Sequence, residues 1–308
     1  EKHTIIDYTG GVADLDRGLI RVVGDPDRRF TRDPVRMMRA IRHSARTGFA
    51  IEGETLAAVR RHSDKLRLCP PSRLRDEVLK DLQSGASRRW AELCMSSSLW
   101  NALFPLYREY LQGEEGAVVR DELMRVFSVL DRLHSKDRGD DEPIKVPEFF
   151  LLATLLLPWA CQRYKLPDTN VRGQGFHRLS RMIRDDVDHS FGEPFNVQRM
   201  AKESMTTLLI NLSTFHHTRS QGGDPKWLKK KSYYKDCSRF YDFYLEMQGI
   251  AAVQPDRFVV EPAPAEAMEV ISLPEEGNGH SGARGRRGVN PAFSSKTQGV
   301  FGLRKTHG

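Results

Sequence analysis

A mostly α-helical fold, an array of helices attached to a remnant of a small β-sheet, follows from three observations. From Asp33 to Gln248 nearly every apolar pattern repeats at the helical period. Strand-like runs are confined to Thr4–Tyr8 and Leu19–Val23. After Gln254 the chain turns to Pro, Glu, Gly and Arg with no apolar period, which predicts a disordered basic tail. The 308 residues suffice for one large domain or two smaller ones with real cores.

The two β-rich runs are joined by Gly10-Gly11 and a short Val12–Leu15 segment. Two strands are not stable alone, so they are expected to complete the edge of a sheet whose other strands precede Glu1. The absence of Met at position 1 fits a sequence that opens inside a domain. Asp33 and Pro34 suit a helix start, and Gly48 suits its left-handed stop. Further helices are predicted over 53–63, 72–84 (Ser72 cap, Gly85 stop), 87–97, 117–134, 147–163, 173–189, 196–217 and 225–248. Phe149–Cys161 is strongly apolar but shorter than the roughly 20 residues of a membrane span, and it holds Pro158, so it reads as a buried core helix. Asp137–Pro143 reads as a polar loop.

Forty-eight Lys and Arg against 41 Asp and Glu give a net charge of +7, which favours a polyanionic partner such as RNA. The four cysteines, Cys69, Cys94, Cys161 and Cys237, form neither a CxxC pair nor a ladder. They predict free thiols in a reducing, cytoplasmic setting, without disulfides or zinc. Nothing predicts secretion or membrane association.

The helix from Pro34 is the most informative element. Val35, Met38, Ile41 and Ala45 form an apolar stripe beside a basic one of Arg36, Arg39, His43 and Arg46, and Arg28, Arg29, Arg32 and Arg42 add to the cluster. Such a density of guanidinium groups either faces phosphate or is a solvated basic face. Asp33 only accepts hydrogen bonds and Arg36 only donates them. Together they mirror the edge of adenine or cytosine; the plain alternative is Asp33 as a helix cap paired to Arg36.

The stretch Leu19-Ile-Arg-Val-Val-Gly-Asp-Pro-Asp-Arg-Arg-Phe-Thr-Arg-Asp-Pro-Val-Arg-Met-Met-Arg-Ala-Ile-Arg42, preceded by Asp7–Leu15, resembles the head-to-neck junction of class II nucleotidyltransferases, the superfamily of bacterial poly(A) polymerases and CCA-adding enzymes. A looser similarity continues through Leu68–Leu82 and Leu99–Pro105. The resemblance implies that Asp33 and Arg36 fall on the Asp and Arg of the base-reading Glu-Asp-x-x-Arg element, with Arg32 where the family has Glu. It implies a division into residues 1–23 (remnant of the nucleotidyltransferase head), 24–105 (neck), 106–253 (helical body and basic C-terminal region) and 254–308 (tail). It also implies ATP as substrate, RNA 3′ ends of messenger or other transcripts or of tRNA as partner, and Mg2+ bound by head residues preceding Glu1. No catalytic or metal-binding residue is expected in this chain, which alone is expected to be an inactive monomer.

Asp33, Arg36 and Arg39 are accordingly the expected nucleotide-binding residues, and Arg42, Arg46, Lys229, Lys230, Lys231 and Arg239 the expected RNA-binding ones. The last four come from Lys226–Tyr244, where cations alternate with aromatics as in single-strand RNA binders, although Trp227, Tyr234, Phe240 and Tyr244 also fit one buried helix face. Arg284, Arg286, Arg287, Arg304 and Lys305 suit a mobile electrostatic tether or a plain solubility tail. Asp7, Asp14, Asp16, Asp25 and Asp27 lack Asp-x-Asp spacing and read as turn, cap and surface groups. His216-His217 and Asp185–His189 lack the companions of a metal site. The leading expectation is polyadenylation, with CCA addition and a non-catalytic helical RNA-binding module as alternatives.

Overall fold

The computed structural model describes residues 6–135, 144, 146–169, 171–254 and 258. Thr4 and Ile5, the whole of the expected polar loop Asp137–Pro143, and the expected tail apart from Gln254 and Phe258 lie outside them. Twelve α-helices carry the described fold: α1 (Gly11–Asp16), α2 (Pro26–Arg32), α3 (Val35–Thr47), α4 (Gly53–His62), α5 (Pro71–Leu82), α6 (Ser87–Ser96), α7 (Leu99–Leu103), α8 (Gly113–His134), α9 (Glu148–Tyr164), α10 (Gln174–Val187), α11 (Arg199–Ser220) and α12 (Tyr234–Met247). The mostly α expectation holds. The strand content is smaller than the sequence suggests, because among the described residues only β1 (Leu19–Ile20) and β2 (Ala50–Ile51) pair, in parallel. Ile6–Tyr8 is not a strand, and the segment between the two runs is helix α1.

The carboxylates near the start have local structural work. Asp7 accepts from the amides of Thr9 and Val12, each at 2.9 Å, and these bonds hold its carboxyl down at about 2. Asp14 pairs with Arg21 at 2.9 Å. Asp25 caps α2, a helix the sequence reading missed, by accepting from the amides of Asp27 and Arg28. Asp27 takes Arg61 and His62 at 2.8 and 2.7 Å.

The apolar side of α3 is wider than predicted. Val35, Met37, Met38, Ala40, Ile41 and Ala45 are all buried, and Gly48 ends the helix at φ 75°, a conformation that favours a residue without Cβ. Ser72 does not cap α5; that helix starts at Pro71, whose missing N–H is an unpaired donor at a first turn in any case. The helix expected over 225–248 is shorter, with a 3-10 turn at Leu228–Lys230 before α12.

Helix α9 is buried along most of its length, as its composition predicts, with Pro158 inside it. Proline removes one ladder bond and crowds the preceding turn. The Tyr107 hydroxyl occupies that turn, donating to Leu155 O at 2.6 Å and accepting from the Trp159 amide at 3.3 Å. Tyr107→Phe is therefore expected to cost about 1–2 kcal/mol in denaturant unfolding with no change in the denaturant slope. A loss below about 0.3 kcal/mol would show that the helix satisfies these groups without the hydroxyl.

Candidate nucleotide and RNA interface

The site is built at the corner between α2 and α3. Asp33 closes α2, its amide donating to Arg29 O at 3.1 Å. Its carboxylate does not cap α3; Pro34 stands at the cap position and no side chain bonds the first-turn amides. The cap expected of Asp33 is thus corrected, since the tight corner turns its side chain toward the first turn of α5. There Arg73 Nη2 donates to Asp33 Oδ2 at 3.2 Å, and Arg36 Nε lies 3.5 Å from the same oxygen. Oδ1 is buried and also 3.2 Å from Arg73, yet it makes no hydrogen bond. The Asp33 side chain is 23% exposed and that of Arg36 is 47% exposed, so both groups reach solvent with hydrogen-bonding capacity to spare.

The structure separates the arginines of α3 into two kinds. Arg36, Arg39 and Arg46 lie on the solvent side with His43; Arg39 makes only a 3.6 Å approach to Glu77, and Arg46 has no ion pair. Arg42, expected to touch RNA, turns inward. Its side chain is 12% exposed, with Nη1 donating to Glu77 Oε2 at 2.5 Å, Nη2 to Glu77 O at 2.9 Å and to Asp81 Oδ2 at 3.1 Å, and Nε to Asp81 as well. Four of the five guanidinium N–H groups are used within the protein, which corrects its assignment as an RNA contact.

Burial raises Asp81 to about 6, outweighing the bonds from Arg42. At Glu77 burial also pushes upward, but Arg42 and Lys80 outweigh it and leave the carboxyl below its ordinary value. Arg42 therefore ties α3 to α5 and sets the position of the helix that carries Arg73. Sequence reading missed Arg73, because nothing in the Pro70-Pro71-Ser72-Arg73 segment announces a partner 40 residues upstream.

The basic segment before α12 is also divided. Lys230 and Lys231 are exposed and free of ion pairs, whereas Lys229 approaches Asp224 at 3.3 Å and Arg239 pairs with Asp236 at 3.3 Å. Phe240 and Tyr244 are buried and Tyr234 is half-buried, so those rings belong to the core; Trp227 is 51% exposed. Nothing brings this segment into contact with Asp33. Among the described residues no group of three or more His, Cys, Asp or Glu is placed to hold a metal ion. No helix among them is long and apolar enough to cross a membrane.

Parts of the chain are similar to known proteins. Residues 48–111 match the family model described as the probable RNA and SrmB-binding site of polymerase A. Poly(A) polymerase I of Escherichia coli is 36% identical over 185 residues, covering 60% of this chain and 38% of the relative. The CCA-adding enzyme of Levilactobacillus brevis is 41% identical over 100 residues, covering 32% and 25%.

These likenesses point to the class II nucleotidyltransferases and poly(A) polymerases as the chain's relatives.

It spans 38% of the length of the poly(A) polymerase it matches. A solved structure described as a tRNA-processing enzyme complex shares the fold, with a TM-score of 0.51, 19% identity, and coverage of 84% of this chain and 63% of the other. The segment matched by the family model contains Arg73, Glu77 and Asp81 but neither α3 nor the lysines before α12. The RNA contacts expected from sequence thus lie on either side of the span that the family description marks.

Proposed function

We propose that this chain is the base-reading and RNA-holding part of an enzyme that adds AMP from ATP to RNA 3′ ends without a template, in a cytoplasmic setting. Residues 24–105 act as the neck and 106–253 as the body in this reading. The observation that carries it is the Asp33–Arg36 pair. The carboxylate has been released from capping and anchored on Arg73, with its side chain 23% exposed beside a half-exposed guanidinium; Oδ1 is turned inward, so the base is met at Oδ2, which keeps accepting capacity beyond its bond from Arg73. Asp33 accepts from the exocyclic amine of adenine while Arg36 donates to the adjacent ring nitrogen; guanine and uracil present the opposite polarity at those positions. Arg39 and Arg46 follow along the same helix face and meet phosphates. ATP is the substrate, and the Mg2+ of such transfer is held outside the described residues.

The same edge also suits cytosine, and the 41% identity to a CCA-adding enzyme over 100 residues favours CCA addition as a second reading. An incorporation assay separates them, using the protein at the full length of its reading frame, the four nucleoside triphosphates, an unstructured RNA and a tRNA lacking its terminal CCA. AMP alone entering both acceptors is the expected result. CMP entering the tRNA replaces polyadenylation with CCA addition, and no incorporation leaves the third reading, a helical RNA-binding module. Asp33→Ala is expected to lower the preference for ATP over GTP and UTP about tenfold, or 1.4 kcal/mol, while RNA affinity stays within about twofold. Unchanged selectivity would reduce Asp33 to an anchor for Arg36 and Arg73.

A further inference from the structure

We infer that the exposed face of α10 is a second RNA-backbone contact surface, an inference that rests on the RNA-holding part of the proposed function. Helix α10 buries only Ile183 and Val187. His177, Arg178, Arg181 and Arg184 are all exposed, Arg178 and Arg181 opposite the buried pair and His177 and Arg184 on its flank, and exposed Arg172 precedes the helix. Among the described residues none of these four arginines makes an ion pair, although acidic partners occupy Arg163, Arg199 and Arg219 on the neighbouring helices. Of the nearby carboxylates, Asp186 is taken by Arg163 and Tyr164, and Asp188 by Lys202. Asp185 alone remains on the exposed face, opposing four cationic or protonatable groups.

The spacing is costly for the helix by itself. Arg178 to Arg181 and Arg181 to Arg184 are both i,i+3, so each pair places like charges side by side. The helix packs through Phe176, Leu179, Ile183 and Val187, and the exposed arginines add nothing to that packing. Polyvalent phosphate is the partner that turns the repulsion into attraction, and guanidinium groups suit it because each can donate two parallel bonds.

Position supports the same assignment. The chain leaving α10 forms a π-helical turn at Asp188–Gly192, whose Phe191, with Phe195 beyond it, packs on Phe104. Arg75 Nη1 then donates to Asn196 O at 3.0 Å. The segment following α10 is thereby docked on α5, the helix whose first turn holds Asp33 through Arg73. An RNA whose 3′ end meets the nucleotide held at Asp33 has α10 within the same compact unit as a rest for its upstream phosphates.

The test is fluorescence-anisotropy binding of a labelled unstructured RNA to the full 308-residue chain and to its Arg178→Gln/Arg181→Gln/Arg184→Gln variant across a salt series. Three lost phosphate contacts should lower the magnitude of the slope of log affinity against log salt by about 2, at about 0.7 per contact on single strands. Between about 50 and 200 mM salt this amounts to an affinity loss about twentyfold smaller than that of the unchanged chain. Thermal unfolding should be unchanged or slightly raised in the variant, because repulsion has been removed. An unchanged slope in a variant that folds overturns the inference while leaving the RNA-holding reading intact. Failure of the unchanged chain to bind RNA at low salt overturns both. A lowered slope together with altered nucleotide selectivity would also count against α10, since a backbone surface should leave base choice at Asp33 alone. If the triple variant does not fold, Arg181→Gln by itself should lower the slope by about 0.7, and no change there overturns the inference.

Discussion

Arg42→Met is expected to destabilise the chain by about 3–5 kcal/mol near neutral pH, because it leaves Glu77 and Asp81 as two neighbouring buried carboxylates without the cation between them. The methionine replaces most of the apolar stem, so the loss reports the charge and its bonds more than lost volume. The effect should depend on pH. Asp81 is already raised to about 6 by burial, and removal of the guanidinium raises it further. A carboxyl whose folded value lies above its unfolded one contributes stability that is fully present below the unfolded value and is lost as pH rises through the folded one. The variant should therefore lose less at pH 5, where Asp81 takes a proton, than at pH 8, where both carboxylates are ionised. Urea unfolding followed by circular dichroism at the two pH values measures this. An equal loss at both, or one below about 1 kcal/mol accompanied by weaker RNA binding, would return Arg42 to the RNA surface.

Trp100→Ala should cost a similar amount, about 3–5 kcal/mol, through a cavity at the centre of the aromatic cluster. Its ring lies 6.3 Å from Trp90, 4.6 Å from Phe104, 5.9 Å from Tyr107 and 6.0 Å from Phe127, mostly in edge or tilted contacts. Phe104 carries the cluster on to Phe191 and Phe195, so the loss should loosen the segment after α10 as well as α6, α7 and α8. Trp100→Phe distinguishes packing from polarity. The indole N–H has no protein partner, so its removal gives up no protein hydrogen bond, and the smaller ring should cost no more than about 1.5 kcal/mol. Comparable losses for both substitutions, measured by denaturant unfolding, would mean that the indole itself and not the filled volume holds the cluster.

Both effects arise away from Asp33 and Arg36, the residues proposed to read the base, yet both bear on them. Arg42 fixes α3 against α5, and α5 presents Arg73 to Asp33. Selectivity at Asp33 is expected to be as sensitive to this support as to Arg36, because a carboxylate reads a base edge only if its lone pairs are held in place.

Much of this was legible before any coordinates. The 3.6-residue period of Val35, Met38, Ile41 and Ala45 set α3 and its buried side, and the same period located α4 to α6, α8, α9 and α11 to within a few residues. The junction from Leu19 to Arg42 carried the resemblance to the nucleotidyltransferases, since a long composite motif is read in order along the chain. These are local properties, decided by which residues stand three, four or seven apart. What remained for the tertiary structure was every question of partner. Arg39 and Arg42 are one turn apart and chemically identical, yet one reaches solvent and the other is locked onto Glu77 and Asp81. Arg42 stands just off the stripe of Arg36, Arg39, His43 and Arg46, a sign that was present but does not name a carboxylate 35 or 39 residues away. The release of Asp33 from capping, its anchoring by Arg73, and the inward turn of Phe240 and Tyr244 are of the same kind. Periodicity fixes which face of a helix is apolar, but which charges meet across two helices depends on their packing angle and register, and those are settled only when the whole core closes.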